Sequence, residues 1–225
     1  MSEIMEPTIE EQPGETLSWG KVWISVITRP SIATFERIIR DPQAKPRRAY
    51  LWVGLTALIG AIMTGAISRM GHFSNQQGLG TSFLYNCAPA NIISALLSLV
   101  AVSWVAQRIA GGFFNGRGKY ASMVYASGAF YAPIILISGL ISGIPYVNCL
   151  SIPLLIYAIV LGVMAVKAVN QIGWGQAVVS FLIGLVLVTG IVAVFTICAL
   201  TLLGPAVSDT FQNTLKELES GGATP

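Results

Sequence analysis

Between Asp41 and Asp209 the chain carries no acidic residue, and the stretch is filled with long apolar runs broken by short clusters of Gly, Pro, Asn and Lys or Arg. A carboxylate at the centre of a bilayer is costly and, where present, marks an ion or proton pathway. An acid-free stretch of this length fits a polytopic membrane protein and argues against a proton-coupled mechanism. Only 10% of the 225 residues are charged and 54% are hydrophobic, and the mean hydropathy is +0.70, whereas a soluble domain is about 25% charged.

A helix needs about 20 mostly apolar residues to cross the hydrocarbon core. The apolar runs predict an all-α integral membrane protein with five transmembrane helices, at Ala49 to Met70, Pro89 to Ala110, Tyr120 to Ile141, Leu150 to Val169 and Ala177 to Leu203. The domain plan is a disordered acidic segment over 1–16, an amphipathic and basic segment over 17–48, the membrane domain over 49–205 and a polar tail over 206–225. No run in the first 48 residues suits a cleavable signal, so the first span is expected to direct its own insertion.

Short loops rich in Lys and Arg stay on the cytoplasmic side. Lys21, Arg29, Arg37, Arg40, Lys45, Arg47 and Arg48 precede the first span, Arg108, Arg117 and Lys119 flank the second connection, and Lys167 edges the fourth. The first and third connections lack them beyond Arg69. The alternation predicts a cytoplasmic N-terminus and an external C-terminus.

Residues 1–15 combine Glu3, Glu6, Glu10, Glu11 and Glu15 with Pro7 and Pro13, too polar to offset the entropy of ordering. Beyond them Trp19, Val22, Trp23, Val26 and Ile27 fall on one face of a helix. Pro30 ends that helix, and Ser31 is placed to cap a second whose Ile32, Phe35 and Ile39 share a face. Two short amphipathic cytoplasmic helices with Trp19 and Trp23, together with Arg37, Arg40, Lys45, Arg47 and Arg48, suit a membrane interface carrying anionic lipid. The same pattern also fits helices packed on the ends of the spans, away from lipid.

Catalytic and cofactor chemistry is not evident. Around Gly118-Lys119 a phosphate-binding loop needs a Gly where Phe113 stands and a Ser or Thr where Tyr120 stands, so Asn115-Gly116 reads as a tight turn. His72 is the sole histidine, so no metal cluster built on histidines can be assembled from one chain, and its place beside Arg69 at the outer end of the first span reads as interfacial. Ser94, Ser98, Ser103 and Gln107 lie broadly on one side of the second span, as a polar path or as hydrogen-bonding groups between helices. Ala57, Ala61 and Gly65, Gly128 and Ala132, and Gly139 and Gly143 are small residues that let helices approach closely, and Pro133 interrupts the third span's hydrogen bonding. Cys87 and Cys149 are both expected at the outer side, either bonded, closing a loop of about 60 residues, or reduced, while Cys198 within the last span is expected to be buried.

The order of features resembles the Yip1 family, a cytoplasmic segment followed by five short-looped spans. The local likeness is to its prokaryotic branch. It rests on Arg29-Pro30-Ser31-Ile32-Ala33-Thr34-Phe35-Glu36-Arg37-Ile38-Ile39 leading into the first span, Gly111-Gly112 followed by Tyr125-Ala126-Ser127 and Pro133, and Ile144-Pro145. Eukaryotic relatives are proteins of early secretory membranes associated with Rab GTPases, but their Asp-Leu-Tyr-Gly-Pro-type motif is missing here and Rab binding does not carry over. The resemblance implies a non-enzymatic membrane-organising or trafficking-like scaffold in a prokaryotic cytoplasmic membrane. Its expected partners are the bilayer, anionic lipids included, and a membrane protein or a second copy of itself, with no cofactor and no nucleic acid. A small transporter or channel along the second span is the alternative.

Overall fold

The computed structural model describes residues 16–70, 89–142 and 147–221, which form seven α-helices, one 3-10 turn and no strand. Expectations for residues 1–15, His72, Cys87, Gly143, Ile144 and Pro145 lie outside the described residues.

Helix α1 (Trp19–Thr28) stops two residues before Pro30, and α2 (Ile32–Ile39) starts immediately after Ser31, whose hydroxyl accepts the Thr34 backbone N–H at 3.0 Å. This is the expected cap. The Thr34 hydroxyl donates to the Arg29 carbonyl at 2.9 Å and fixes the corner between the two helices. Val22 and Val26 of α1 and Phe35 and Ile38 of α2 are buried. Ile38, absent from the expected apolar face, is buried because α2 lies against two later helices and not one.

Helix α3 (Pro46–Met70) opens with proline at its first position, where the missing N–H costs nothing. Ala49, Trp52, Val53, Thr56, Ala57 and Ala61 are buried along one stripe, while Leu51, Leu55, Leu58, Ile59 and Ile62 are exposed along another. Helices α4 (Pro89–Phe114) and α5 (Tyr120–Ser142) follow the expected second and third spans, and Pro133 is held within α5 without ending it. After the 3-10 turn Val147–Leu150 come α6 (Ser151–Asn170) and α7 (Trp174–Gly221).

The most extensive helix pair is α3 with α5. A side chain at Gly128 would lie 2.6 Å from the Ala49 Cβ, and one at Gly139 would lie 2.9 Å from the Gly60 Cα, so glycines at both levels set the approach of two parallel helices. Gly60, not singled out among the small residues, is the partner that lets Gly139 come close. The Phe181 ring of α7 lies against Gly162 of α6, where any side chain would collide.

Helices α1 and α2 pack on α5 and α6. Phe35 meets Phe130 edge-on with ring centroids 6.5 Å apart, and the Tyr157 hydroxyl donates to the Ile27 carbonyl. One apolar core runs through all these elements.

Among the described residues four helical stretches are long and apolar enough to cross a membrane: Asn91–Phe114, Tyr120–Ile141, Ser151–Asn170 and Trp174–Phe195. They match the second to fifth expected spans. Helix α3, the expected first span, is not among these four. Exposed Leu97, Trp104, Ile152, Leu155 and Val186 are the inverse of a soluble surface and fit helices that face lipid.

The chain divides after Gly184. In the second unit, residues 185–225, α7 continues to Gly221 through the segment expected to be a polar tail. Lys216, Glu217, Leu218 and Glu219 are good helix formers, so polarity there does not end the helix. Cys198, expected to be buried, is exposed.

Candidate functional site at the basic end of the bundle

Leu17, which leads into α1, is held through both of its peptide groups. Its N–H donates to Asp41 Oδ2 at 3.1 Å, and its carbonyl accepts from Arg48 Nη2 at 2.7 Å. Asp41 Oδ1 also accepts the Gln43 N–H at 2.8 Å. The Asp41 side chain is fully buried and that of Arg48 is only 10% exposed, with Nη1 3.5 Å from Asp41 Oδ2. This distance makes an ion pair without a well-formed hydrogen bond.

The Arg48 guanidinium lies 5.1 Å above the Trp52 ring, within cation–π range. Trp19 and Trp23 meet Trp52 edge-on at 6.0 and 5.9 Å, and Tyr125 of α5 lies 5.3 Å from it. Trp52 therefore joins α1, α3 and α5. Its neighbours are rich in donors: among the described residues Trp23 Nε1, Trp52 Nε1, the Tyr125 hydroxyl, and Arg48 Nε and Nη1 are buried without a hydrogen-bond partner.

Beside this hub a cleft of about 250 Å³ is lined by Pro42, Gln43, Lys45, Arg47, Arg48 and Leu51. Lys45 and Arg47 are exposed. Arg37 and Arg40 are also exposed, on the outer face of α2. Of the residues expected at an interface, the structure thus gathers Trp19, Trp23 and Arg48 into the hub, sets Lys45 and Arg47 on the cleft, and leaves Arg37 and Arg40 outside both.

Asp41 and Trp52 were not singled out in the sequence. The one available signal for Asp41 was its position as the last acid before the acid-free stretch. Nothing in the periodicity of α3 separates Trp52 from any other core residue.

The expected polar path along α4 is divided among separate settings. Ser94 is exposed and donates to the Asn91 carbonyl at 3.0 Å within its own helix. Ser98 is half-buried, and Ser103 is buried without a hydrogen-bond partner. Gln107 Nε2 donates to the Gly118 carbonyl at 2.7 Å and to Asn170 Oδ1 at 2.8 Å. Asn170 Nδ2 donates in turn to the Val166 carbonyl at 3.1 Å, and a side chain at Gly118 would come within 2.7 Å of both Val169 and Asn170. Gln107 and the loop glycines therefore clamp the α4–α5 turn onto the end of α6. Asn115 takes a left-handed conformation with φ 52°, as the expected tight turn requires.

Arg108 lies 5.2 Å over Trp104, and Lys167 lies 5.0 Å over Trp174. Together with Arg48 over Trp52, three of the five tryptophans carry a basic group over the ring. Cys149 is exposed in the 3-10 turn; Cys87, and with it the choice between a bonded and a reduced pair, lies outside the described residues. Among the described residues no group of His, Cys, Asp or Glu is arranged to hold a metal.

A bundle of long apolar helices with outward-facing leucines, basic ends and a tryptophan hub defines a multi-pass helical membrane protein. The Yip1 domain model matches residues 24–197, and the chain belongs to the Yip1 family. The match opens within α1 and so takes in most of the two short helices as well as the bundle. Neither the comparison with curated proteins nor that with solved structures gave a match.

Proposed function

We propose that this protein is a non-enzymatic membrane-organising scaffold of a prokaryotic cytoplasmic membrane. In this reading α3 is a fifth span, the N-terminus is cytoplasmic and the C-terminus is outside. The face built from α1, α2 and the start of α3 meets anionic lipid or a membrane-protein partner, including a second copy.

One observation carries the reading. The N-terminal helices are locked to the bundle through Leu17, Asp41, Arg48 and Trp52, while Lys45 and Arg47 remain exposed at the head of an exposed leucine stripe. A rigid face with basic groups at the edge of apolar surface suits the headgroup region of an anionic leaflet. Basic groups over Trp104 and Trp174 support the same placement, because indole rings favour the interface. A conducting path along α4 has less support, since Gln107 is committed to Gly118 and Asn170.

The test is energy transfer from the tryptophans of the full chain, reconstituted in vesicles of phosphatidylcholine with 20% phosphatidylglycerol, to a headgroup-labelled trace of either lipid. Transfer to the anionic label is expected to exceed transfer to the neutral one. Equal transfer to both would remove the lipid-organising reading.

A further inference from the structure

We propose that the acidic segment over residues 3–15 docks, within its own chain, on the basic face formed by α1, α2 and the connection into α3, and shields that face from anionic lipid. The shielding deepens the scaffold reading and rests on its placement of this face at an anionic leaflet. The docking itself does not.

Charge is the first argument. Residues 16–48 carry seven Lys or Arg and two acids, Glu36 and Asp41. Asp41 and Arg48 are buried against each other in the hub, so the surplus of five positive charges belongs to the remaining residues. Lys21, Arg29, Arg37, Arg40, Lys45 and Arg47 are all exposed, and Glu36 is half-buried. Residues 3–15 carry five glutamates, Glu3, Glu6, Glu10, Glu11 and Glu15, and no Lys or Arg. The segment therefore matches the face in number of charges and opposes it in sign. After Asp41 the next acid along the chain is Asp209, so these glutamates are the nearest in sequence that can balance the face.

The point of attachment is the second argument. Leu17 is held through both peptide groups, by Asp41 at 3.1 Å and by Arg48 at 2.7 Å. The segment thus leaves the bundle from a fixed position beside the connection that carries Lys45 and Arg47. Glu15 stands two residues before Leu17, at most about 7 Å along an extended chain, and Glu10 seven residues before it, at most about 25 Å. Helices α1 and α2, of ten and eight residues, are only about 15 and 12 Å long. The exposed bases lie within reach of the segment. A tether this short holds the glutamates at an effective concentration on the order of millimolar, so weak contacts at several charges are enough to seat it.

Attachment also favours the segment over a separate acidic protein, which would have to displace it. Held away from the face, five glutamates would repel the anionic leaflet that the bases attract. Docked, they are neutralised until lipid takes their place. A segment seated for about nine-tenths of the time leaves about one-tenth of the molecules open to lipid, which weakens lipid binding about tenfold.

Carbodiimide coupling of carboxylates to lysine amines, read by peptide mass spectrometry, tests the docking on the full chain in neutral-detergent micelles. An equal mixture of nitrogen-15-labelled and unlabelled chains separates coupling within a chain from coupling between chains. Lys45 is expected to couple to Glu10, Glu11 or Glu15 of the same chain, and in higher yield than Lys119 of the α4–α5 loop. The yield is expected to fall in about 0.5 M salt, which screens exposed charges, and on addition of phosphatidylglycerol but not of phosphatidylcholine. Native mass spectrometry reads the shielding. The variant Glu3→Gln/Glu6→Gln/Glu10→Gln/Glu11→Gln/Glu15→Gln is expected to bind phosphatidylglycerol about tenfold more tightly than the wild type, with phosphatidylcholine binding changed less than twofold.

No coupling at Lys45, equal yields at Lys45 and Lys119, or coupling mainly between chains overturns the docking. Coupling that persists under saturating phosphatidylglycerol, or a glutamine variant whose phosphatidylglycerol binding changes less than twofold, overturns the shielding. If neither chain prefers phosphatidylglycerol to phosphatidylcholine while Lys45 still couples within the chain, the lipid-organising reading and the shielding fall and the docking stands.

Discussion

Replacing Asp41 by Asn changes one charge at the point where the chain enters α1. The carboxylate is fully buried, accepts the Leu17 and Gln43 N–H groups at 3.1 and 2.8 Å and faces Arg48 at 3.5 Å. The amide keeps one acceptor oxygen and nearly the same volume but leaves the Arg48 charge buried without its counter-ion. Breaking a buried pair in this way costs about 3–5 kcal/mol. The lower end applies here because Arg48 keeps the Leu17 carbonyl and the Trp52 ring. A cost of about 3 kcal/mol raises the open population about 100-fold. Since Leu17 is held by both ends of the pair, opening is expected first in α1, as faster amide exchange of Leu17 to Val26 in the full-length protein. The double variant Asp41→Asn/Arg48→Gln should lose less than the sum of the two single variants, because neither charge is then buried alone. Strictly additive losses, or unchanged exchange in α1, would refute the buried pair as the latch.

Other expectations follow from close contacts. Gly128→Ala places a methyl 2.6 Å from the Ala49 Cβ and is expected to cost about 1–3 kcal/mol by overpacking α3 against α5, seen as a lower unfolding temperature in micelles. Gly112→Ala, which meets nothing within 4 Å in a helix, should be neutral or stabilising by up to about 1 kcal/mol. Asn170→Leu removes the acceptor for Gln107 and the group that bonds Val166; a loss of about 1–3 kcal/mol should appear as faster proteolysis in the loop 115–119.

The second to fifth spans were legible because long apolar runs dominate their sequence, and the α1–α2 corner was legible because Pro30 and Ser31 act on their nearest neighbours. The hub was not. It joins Leu17, Asp41, Arg48 and Trp52, whose meeting depends on how α1 returns to α3, and no local period records that. Arg48 looks like its neighbours Lys45 and Arg47 in sequence, yet only Arg48 turns inward, because the helical rotation of α3 sets it on the side of Asp41. The serines and Gln107 on α4 share an angular sector, but their partners are chosen by the α4–α5 loop and the end of α6. Helix α7 runs past Leu203 because its polar continuation ends in good helix formers, Lys216, Glu217, Leu218 and Glu219, and hydropathy reports where lipid ends and not where a helix ends.

Function as proposed depends on five crossings and on which face carries α1 and α2. Side-specific labelling of single cysteines in sealed vesicles of known orientation is the most direct measurement. Cysteines placed at Arg40 and at Asn115 are expected to react with a membrane-impermeant maleimide only from the cytoplasmic side. Native Cys149, after reduction, and a cysteine at Ser220 should react only from the opposite side. Labelling of the Arg40 and Ser220 positions from the same side would mean an even number of crossings and would contradict both the fifth span and the proposed orientation.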